Sequence, residues 1–323
     1  MVPIVVLFIL DCKISCTCLS GYNQITVGVY CNTVSTIIAD LIVSQARNAR
    51  GMVMNEIRPH SFLIHINDEN LILYVDNNNA TGIEDGSEDY PYNTITEAVE
   101  AATSVPRGHI DEIHVHPGLY SAARGEDTNP RARVALKGGG ASNTIIEGLI
   151  ELTVEDEFSG FTVRNTRWLN VCLDTVIHHN VFYTSCIIVD DPYGIQIINN
   201  TIVDCDNGIS VAGPAEESII KNNIFAFNNT ALSLYDSESI GTFDITYNDF
   251  WENGADCATR REGLILDMGG RDGNISSNPL FIDQERVDYH LKRVSPCIDR
   301  GDPENPLDPD RSRADMGPSI TIG

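Results

Sequence analysis

The sequence predicts an all-β fold, a parallel β-helix in which short strands stack coil upon coil. Two observations predict it. First, one motif recurs: Ile177-His-His-Asn180-Val-Phe182, Ile197-Ile-Asn-Asn200-Thr-Ile202, Ile220-Lys-Asn-Asn223-Ile-Phe225, Ile245-Thr-Tyr-Asn248-Asp-Phe250 and Ile275-Ser-Ser-Asn278-Pro-Leu280. Its asparagines lie 20, 23, 25 and 30 residues apart, a period that belongs to solenoids and arrays. Second, an alternating apolar segment also recurs, at Val171–Asp174, Ile187–Asp190, Ile209–Ala212, Leu232–Tyr235 and Leu264–Asp267. Side chains alternate in and out along a strand. The Ile column and the column Phe182, Ile202, Phe225, Phe250, Leu280 are therefore expected to point inward. Each asparagine is expected at a turn, in the left-handed region that Asn tolerates, with its amide bonded to stacked neighbours about 4.8 Å away. A β-sandwich also repeats strands, but it has no reason to repeat one asparagine register.

The elements follow in order. Met1 to Leu10 is an apolar run too short to span a bilayer, and residues 1–20 are a candidate export signal. Residues 21–70 show no period and form an unassigned leader. The β-helix domain, caps included, is expected over 71–318. Leu71–Asp76 reads as a first strand. Thr94-Ile-Thr-Glu97 is a capping box, and Ile95, Ala98, Val99 and Ala102 then make one helical face, a short helix suited to cover the N-terminal end of the stack. A terminal coil needs such a cover because it exposes apolar core and unpaired strand edges. Ile113–Tyr120 reads as a strand and turn, with His114 and His116 on one face. The first coils are Val134–Gly138, Thr144–Gly148 and Phe161–Asn165, and Asp302 to Gly317 is a tail wrapping the last coil.

The net charge of −25 on 323 residues is far from balance. Such a surface repels nucleic acid and anionic lipid, which excludes both as partners. It suits Ca²⁺ binding or plain solubility. Nine cysteines leave at least one outside any intrachain pair. Cys172, Cys186 and Cys205 fall on successive coils, where bonding distance is within reach.

Several short strings together resemble the caps of the pectate-lyase-like, right-handed parallel β-helix proteins, over roughly residues 71–318. At the start these are Tyr74-Val-Asp76, Pro91–Ile95 with its helix, and Val115-His-Pro-Gly118-Leu-Tyr120. At the end they are Asn278-Pro-Leu-Phe281, Ser295-Pro-Cys-Ile-Asp299 and Arg313-Ala-Asp-Met-Gly317. The resemblance implies a single right-handed β-helix and a secreted or cell-surface protein that binds or processes polysaccharide, as a lyase, a glycoside hydrolase or a non-catalytic relative. The Gly-His-Gly and Arg-Ile-Lys strings of polygalacturonase-like members are absent here. Fold by itself does not choose among these activities.

Candidate chemistry lies at the ends of the alternating segments. Asp174, Asp190, Asp191, Tyr235, Asp236 and Asp267 are expected along one side of successive coils, interrupted by Ala212. Asp174, Asp190 and Asp191 are the candidate catalytic carboxylates, since a carboxylate pair hydrolyses glycosidic bonds. Lys221 is the candidate base for proton abstraction beside a uronate, which requires a depressed pKa. Tyr235, Asp236, Trp251 and His178 are candidate glycan contacts, and Asp236 with Asp267 a candidate Ca²⁺ pair. Exposed strand ends and simple packing account for the same residues without chemistry. The enzyme reading requires at least two of these carboxylates to converge in a groove, opposite a basic or aromatic group. The alternative is a non-catalytic surface, adhesion or structural protein.

Overall fold

A computed structural model describes residues 72–104, 112–126, 131, 132, 134–148, 151–154, 156–190, 192–214 and 216–318, with side chains for nearly all of them. The chain divides into two compact units, Met1–Leu71 and Ile72–Gly323. Of the first, only six short backbone strands are described: Cys12–Cys18, Ile25–Cys31, Ile37–Asp40, Ala46–Arg47, Val53–Met54 and Ser61–Ile64. The export signal expected at 1–20 and the leader at 21–70 otherwise lie outside the described residues.

The second unit is a parallel β-solenoid. Three sheets of eight, eight and seven strands run along it. Sheet A runs from Ile72–Val75 to Phe243–Thr246, sheet B from Gly118–Ser121 to Asp249–Trp251, and sheet C from Arg131–Ala132 to Ala255–Thr259. Within a coil the chain visits A, B and C in turn, as in Val176–His178, Val181–Tyr183 and Cys186–Val189. An antiparallel strand, Ile265–Leu266, closes sheet C.

Alternation fills the interior. On sheet A, Ile113, Leu136, Phe158, Ile177, Ile197, Ile220 and Ile245 stack in register and are buried. On sheet B the column is Ile146, Val163, Phe182, Ile202, Phe225 and Phe250. The Phe225 and Phe250 rings stack at 5.1 Å. Ile95, Ala98 and Val99 of the α-helix Ile95–Ser104 join the same cluster beside Leu73 and Val75. Thr94 Oγ1 accepts from the Glu97 amide at 3.1 Å, and Glu97 Oε2 accepts from the Thr94 amide at 3.1 Å. The buried Glu126 carboxylate caps the same helix start from afar, accepting the Ile95 and Thr96 amides at 2.8 and 3.0 Å.

The asparagine ladder exists, with two corrections. It runs Asn180, Asn200, Asn223, Asn248 and then Asn274, not Asn278. Asn274 Oδ1 takes the Asn248 amide at 2.8 Å, and Ile275 bridges Asp249. Asn278 is exposed and merely turns its own loop by accepting the Leu280 amide. Ile275 and Leu280 accordingly fall outside the inward columns, half-buried rather than in the core. The second correction concerns the backbone. The left-handed residue is the one before each ladder asparagine: His179, Asn199, Asn222 and Tyr247, with φ of 55 to 56°. Gly160 and Gly273 hold the equivalent place before Phe161 and Asn274. Gly160 is needed there twice over, since a Cβ would lie 2.5 Å from the Gly138 carbonyl oxygen.

Each ladder asparagine is saturated. Asn223 Oδ1 accepts the Asn200 amide at 2.9 Å and its Nδ2 at 3.1 Å. Asn223 Nδ2 donates to Ile197 O, Lys221 O and Asn248 Oδ1 at 2.8 to 3.0 Å. A second ladder lies at the corner between sheets B and C. Thr166 donates its amide to Ser185 Oγ, Cys205 to Asn228 Oδ1, and Asn228 to Asn253 Oδ1, each at 3.0 Å. Each member sits five positions after one of the first corner: 161 and 166, 180 and 185, 200 and 205, 223 and 228, 248 and 253. Cys205 takes part as a thiol, donating to Ser185 O, and Cys186 donates to Arg167 O. The two do not form the bridge their sequence positions allowed.

The tail lies across sheet B. Phe281, Tyr289, Cys297 and Met316 form an apolar cluster with Val181, Val203, Ile224 and Ala226. At its centre the buried Asp249 accepts the Ser277 amide at 2.9 Å and the Cys297 thiol at 3.2 Å. Burial pushes the Asp249 carboxyl up to about 7 from 3.8. A raised folded-state value means that this group favours folding most at low pH. That contribution is lost as pH rises from about 4 through 7. Asp249→Asn is expected to flatten this part of the stability profile. Urea midpoints at pH 4, 5.5 and 7.5 check it, and an unchanged slope refutes it.

Candidate functional site

The solenoid has three outer faces, one covered and one carrying paired charges. Sheet B is covered by the tail. Sheet A carries a charged ladder: Glu112 pairs with Lys137 at 2.9 Å and His114 at 2.7 Å, and Glu157 with Lys137 at 3.3 Å and His178 at 2.9 Å. Burial alone would push Glu157 up, but its bonds to His178 and Lys137 hold it below the usual carboxylate range. Sheet C is left, and at the ends of its strands Cys172, Asp190, Ala212, Tyr235 and Arg260 align coil by coil. The Asp190 amide bonds Val171 O, the Ala212 amide Val189 O and the Arg260 amide Leu234 O. Asp190, Tyr235 and Arg260 are exposed. The Arg260 guanidinium lies back over sheet C, donating to Ser210 Oγ at 3.3 Å and to Val211 O.

The residues singled out from sequence divide accordingly. Asp190 and Tyr235 share this column. Asp174 lies two positions past it, exposed and left-handed at φ 57°. Asp191 lies outside the described residues. Asp236 turns inward to cap the short helix Ser237–Thr242, accepting Ser239 N and Oγ at 3.1 and 2.9 Å, with Arg261 3.6 Å from its other oxygen. The Ser239 hydroxyl and amide hold its carboxyl below the usual range. Asp236 thus serves as a helix cap. Asp267 is exposed and bonds the Gly269 amide. No three His, Cys, Asp or Glu side chains gather to hold a metal among the described residues.

Lys221 is not placed as a base. Its Nζ lies 2.8 Å from Asp302 and 3.3 Å from Asp244, on sheet A. Burial alone would lower its pKa, but the two carboxylates raise it, the opposite of what proton abstraction requires. It ties the tail to the solenoid instead. Trp251 belongs to sheet B and packs into the tail cluster. His178 stands on sheet A, its Nε2 on Glu157 and its Nδ1 2.8 Å from His179 Nδ1. His114 lies 2.7 Å from Glu112 and His116 3.6 Å from Asp76, each ring edge-on to Tyr74. The converging carboxylates of the enzyme reading are thus not found among the described residues. Arg260 escaped the sequence reading, although an Arg-Arg pair in so acidic a chain was the available signal.

Coil, ladders and strand-end column define a parallel β-helix protein. The family model described as "Periplasmic copper-binding protein (NosD)" matches residues 132–293, half of the chain, and the chain belongs to that family. Its fold is the right-handed parallel β-helix, and its periplasmic setting makes the chain an extracytoplasmic β-helix protein. No curated protein matches the chain. No helix among the described residues is long and apolar enough to cross a membrane.

Proposed function

We propose that this protein is a non-catalytic, secreted or surface-displayed β-helix that binds an acidic glycan along the outer face of sheet C. The observation that carries the reading is Arg260, an exposed guanidinium laid over sheet C in a chain of net charge −25. Arginine presents a planar fork that matches a carboxylate, and the exposed Tyr235 ring beside it offers a stacking surface. Asp190, two coils from Tyr235 and three from Arg260, supplies a carboxylate through which Ca²⁺ bridges to a uronate. A panel of neutral and acidic polysaccharides, with and without Ca²⁺, tests it. Binding of a uronate polymer without cleavage is expected, weakened at least tenfold in Arg260→Ala with Tyr235→Ala. New reducing ends or unsaturated products overturn the non-catalytic part. Absence of binding to every acidic glycan overturns the whole.

The family description supports a second reading, copper binding. The observation in its favour is the facing pair of imidazoles at His178 and His179, since imidazole nitrogen suits copper. Equilibrium dialysis of the full chain against copper, with bound metal counted, tests this reading separately from the glycan panel.

A further inference from the structure

We propose that Ser142, His290 and Asp288 form a serine–histidine–aspartate triad that hydrolyses short acyl esters. The site goes beyond the glycan reading, which places no bond-breaking chemistry on sheet C, and it stands independently of that reading.

The three side chains form one hydrogen-bonded chain. Ser142 Oγ lies 2.9 Å from His290 Nε2, and His290 Nδ1 bonds Asp288 Oδ1. A nucleophile, a base within reach of it and a third group orienting that base are the signature of an activated serine. A carboxylate oxygen accepts, so Nδ1 carries the hydrogen and Nε2 offers its lone pair to the serine hydroxyl.

Two distant parts of the chain, 148 residues apart, supply the groups. Asp288 and His290 belong to the tail strand Asp288–Leu291, two positions apart and therefore on one face. Tyr289 between them points the other way and is buried, its ring 5.1 Å from Phe281 and 5.9 Å from Tyr183. Asp288 Oδ1 also takes the His290 amide at 3.1 Å. Ser142 stands exposed on the corner between Ala135–Gly138 of sheet A and Thr144–Glu147 of sheet B. That corner is a closed turn: the carbonyl of Gly140, at φ 113°, accepts the Asn143 and Thr144 amides at 3.0 Å. Ala141 beside it is buried in the tail cluster, and its carbonyl takes the Thr162 hydroxyl at 2.6 Å. Both halves of the triad thus sit on anchored backbone, which a reactive geometry requires.

The chemistry follows from the order of the groups. Ser142 Oγ bonds the ester carbonyl carbon while its proton passes to His290 Nε2, and Asp288 steadies the ring as it becomes charged. The Ser142 amide has no acceptor among the described residues, and Asn143 adds an exposed side-chain amide. Donors of these two kinds hold an oxyanion. The carbon–oxygen bond to the alcohol then breaks, and the Nε2 proton leaves with the alcohol. Water attacks the acyl-serine, again giving its proton to Nε2, and the acid departs as that proton returns to Ser142 Oγ. Ester and water become acid and alcohol.

The setting selects the ester. Ser142 is exposed, so the alcohol part is free to be large. On the acyl side, the start of sheet B's outer face carries Leu119 and Ile145, paired in register and half-buried. Two aliphatic side chains cover an acetyl or similarly short group and not a long chain.

The test offers the full chain p-nitrophenyl acetate and, separately, a fluorophosphonate that phosphonylates activated serines. An early burst of nitrophenol, as acyl-serine accumulates, and an adduct mapped to Ser142 are expected. Ser142→Ala, at an exposed position, is expected to keep the thermal midpoint while losing the adduct and at least about a hundredfold in kcat. Asp288→Asn acts through the position of the ring, so kcat is expected to fall at least about tenfold with KM unchanged. Activity should fall from acetate to decanoate esters, and a rise overturns the short-acyl assignment. Hydrolysis unchanged in either variant, or no adduct at Ser142, overturns the triad. The small ester carries no sugar, so neither result depends on the glycan panel.

Discussion

Asn223→Leu is expected to lower the unfolding free energy by about 3 kcal/mol, the upper part of the range for leaving buried polar groups unsatisfied. Leucine fills much the same volume but accepts nothing. The Asn200 amide would lose its acceptor, and the Ile197 and Lys221 carbonyls would lose the Asn223 donor. Asn278→Leu is the matched control. It removes one exposed bond to the Leu280 amide and should change stability by less than about 0.5 kcal/mol, as surface changes do. Urea unfolding of both variants decides the register. Equal effects would show that the ladder does not pass through Asn274.

Phe225→Ala is expected to cost about 4 kcal/mol, within the range for removing a buried aromatic ring. The ring is fully buried and stacked on Phe250 at 5.1 Å. A solenoid adds a testable detail, because each coil touches only its neighbours. Amide exchange should rise around Ile202 and Phe250 and remain slow around Leu136. A uniform rise along the whole chain would contradict the nearest-neighbour picture.

The fold was legible because its cause repeats. Inward Ile and Phe columns and the Asn180–Asn248 register all follow from period and alternation. The errors have local physical causes. Asn278 imitated the motif because Ile275 precedes it at the right distance, while the true fifth member, Asn274, stands just before that Ile. The left-handed position was assigned to the asparagine itself because Asn tolerates it, yet the corner needs the preceding residue there, and His179 and Tyr247 accept it. The second ladder stayed hidden because one backbone role is played by Thr166, Ser185, Cys205, Asn228 and Asn253 in turn. The candidate site was read less well. Asp236 reads as a strand end unless Ser239 is recognised three positions on as its capped partner. Lys221 reads as solvent-exposed because its partner Asp302 is 81 residues away, a separation no local pattern reports.

From Glu157 to Thr259 the coil lengths vary chiefly at one place. Between sheets A and B these coils have two residues, as at His179-Asn180, Asn199-Asn200, Asn222-Asn223 and Tyr247-Asn248, whereas the earlier coil has five between Gly138 and Thr144. The path from sheet C to the next sheet A ranges from a tight turn after Val171 to the helix Ser237–Thr242. The molecule is thus closed along two edges and adjustable along a third seam. Extra sequence grafted at that seam, after Gly213 and so beyond the bond from the Ala212 amide to Val189 O, lengthens a turn instead of a stacked corner. A single residue inserted between Asn180 and Ser185 would put every amide above it out of step with the one below. New specificity in such a chain has one inexpensive place to arise, and it borders the strand-end column that carries Asp190, Tyr235 and Arg260.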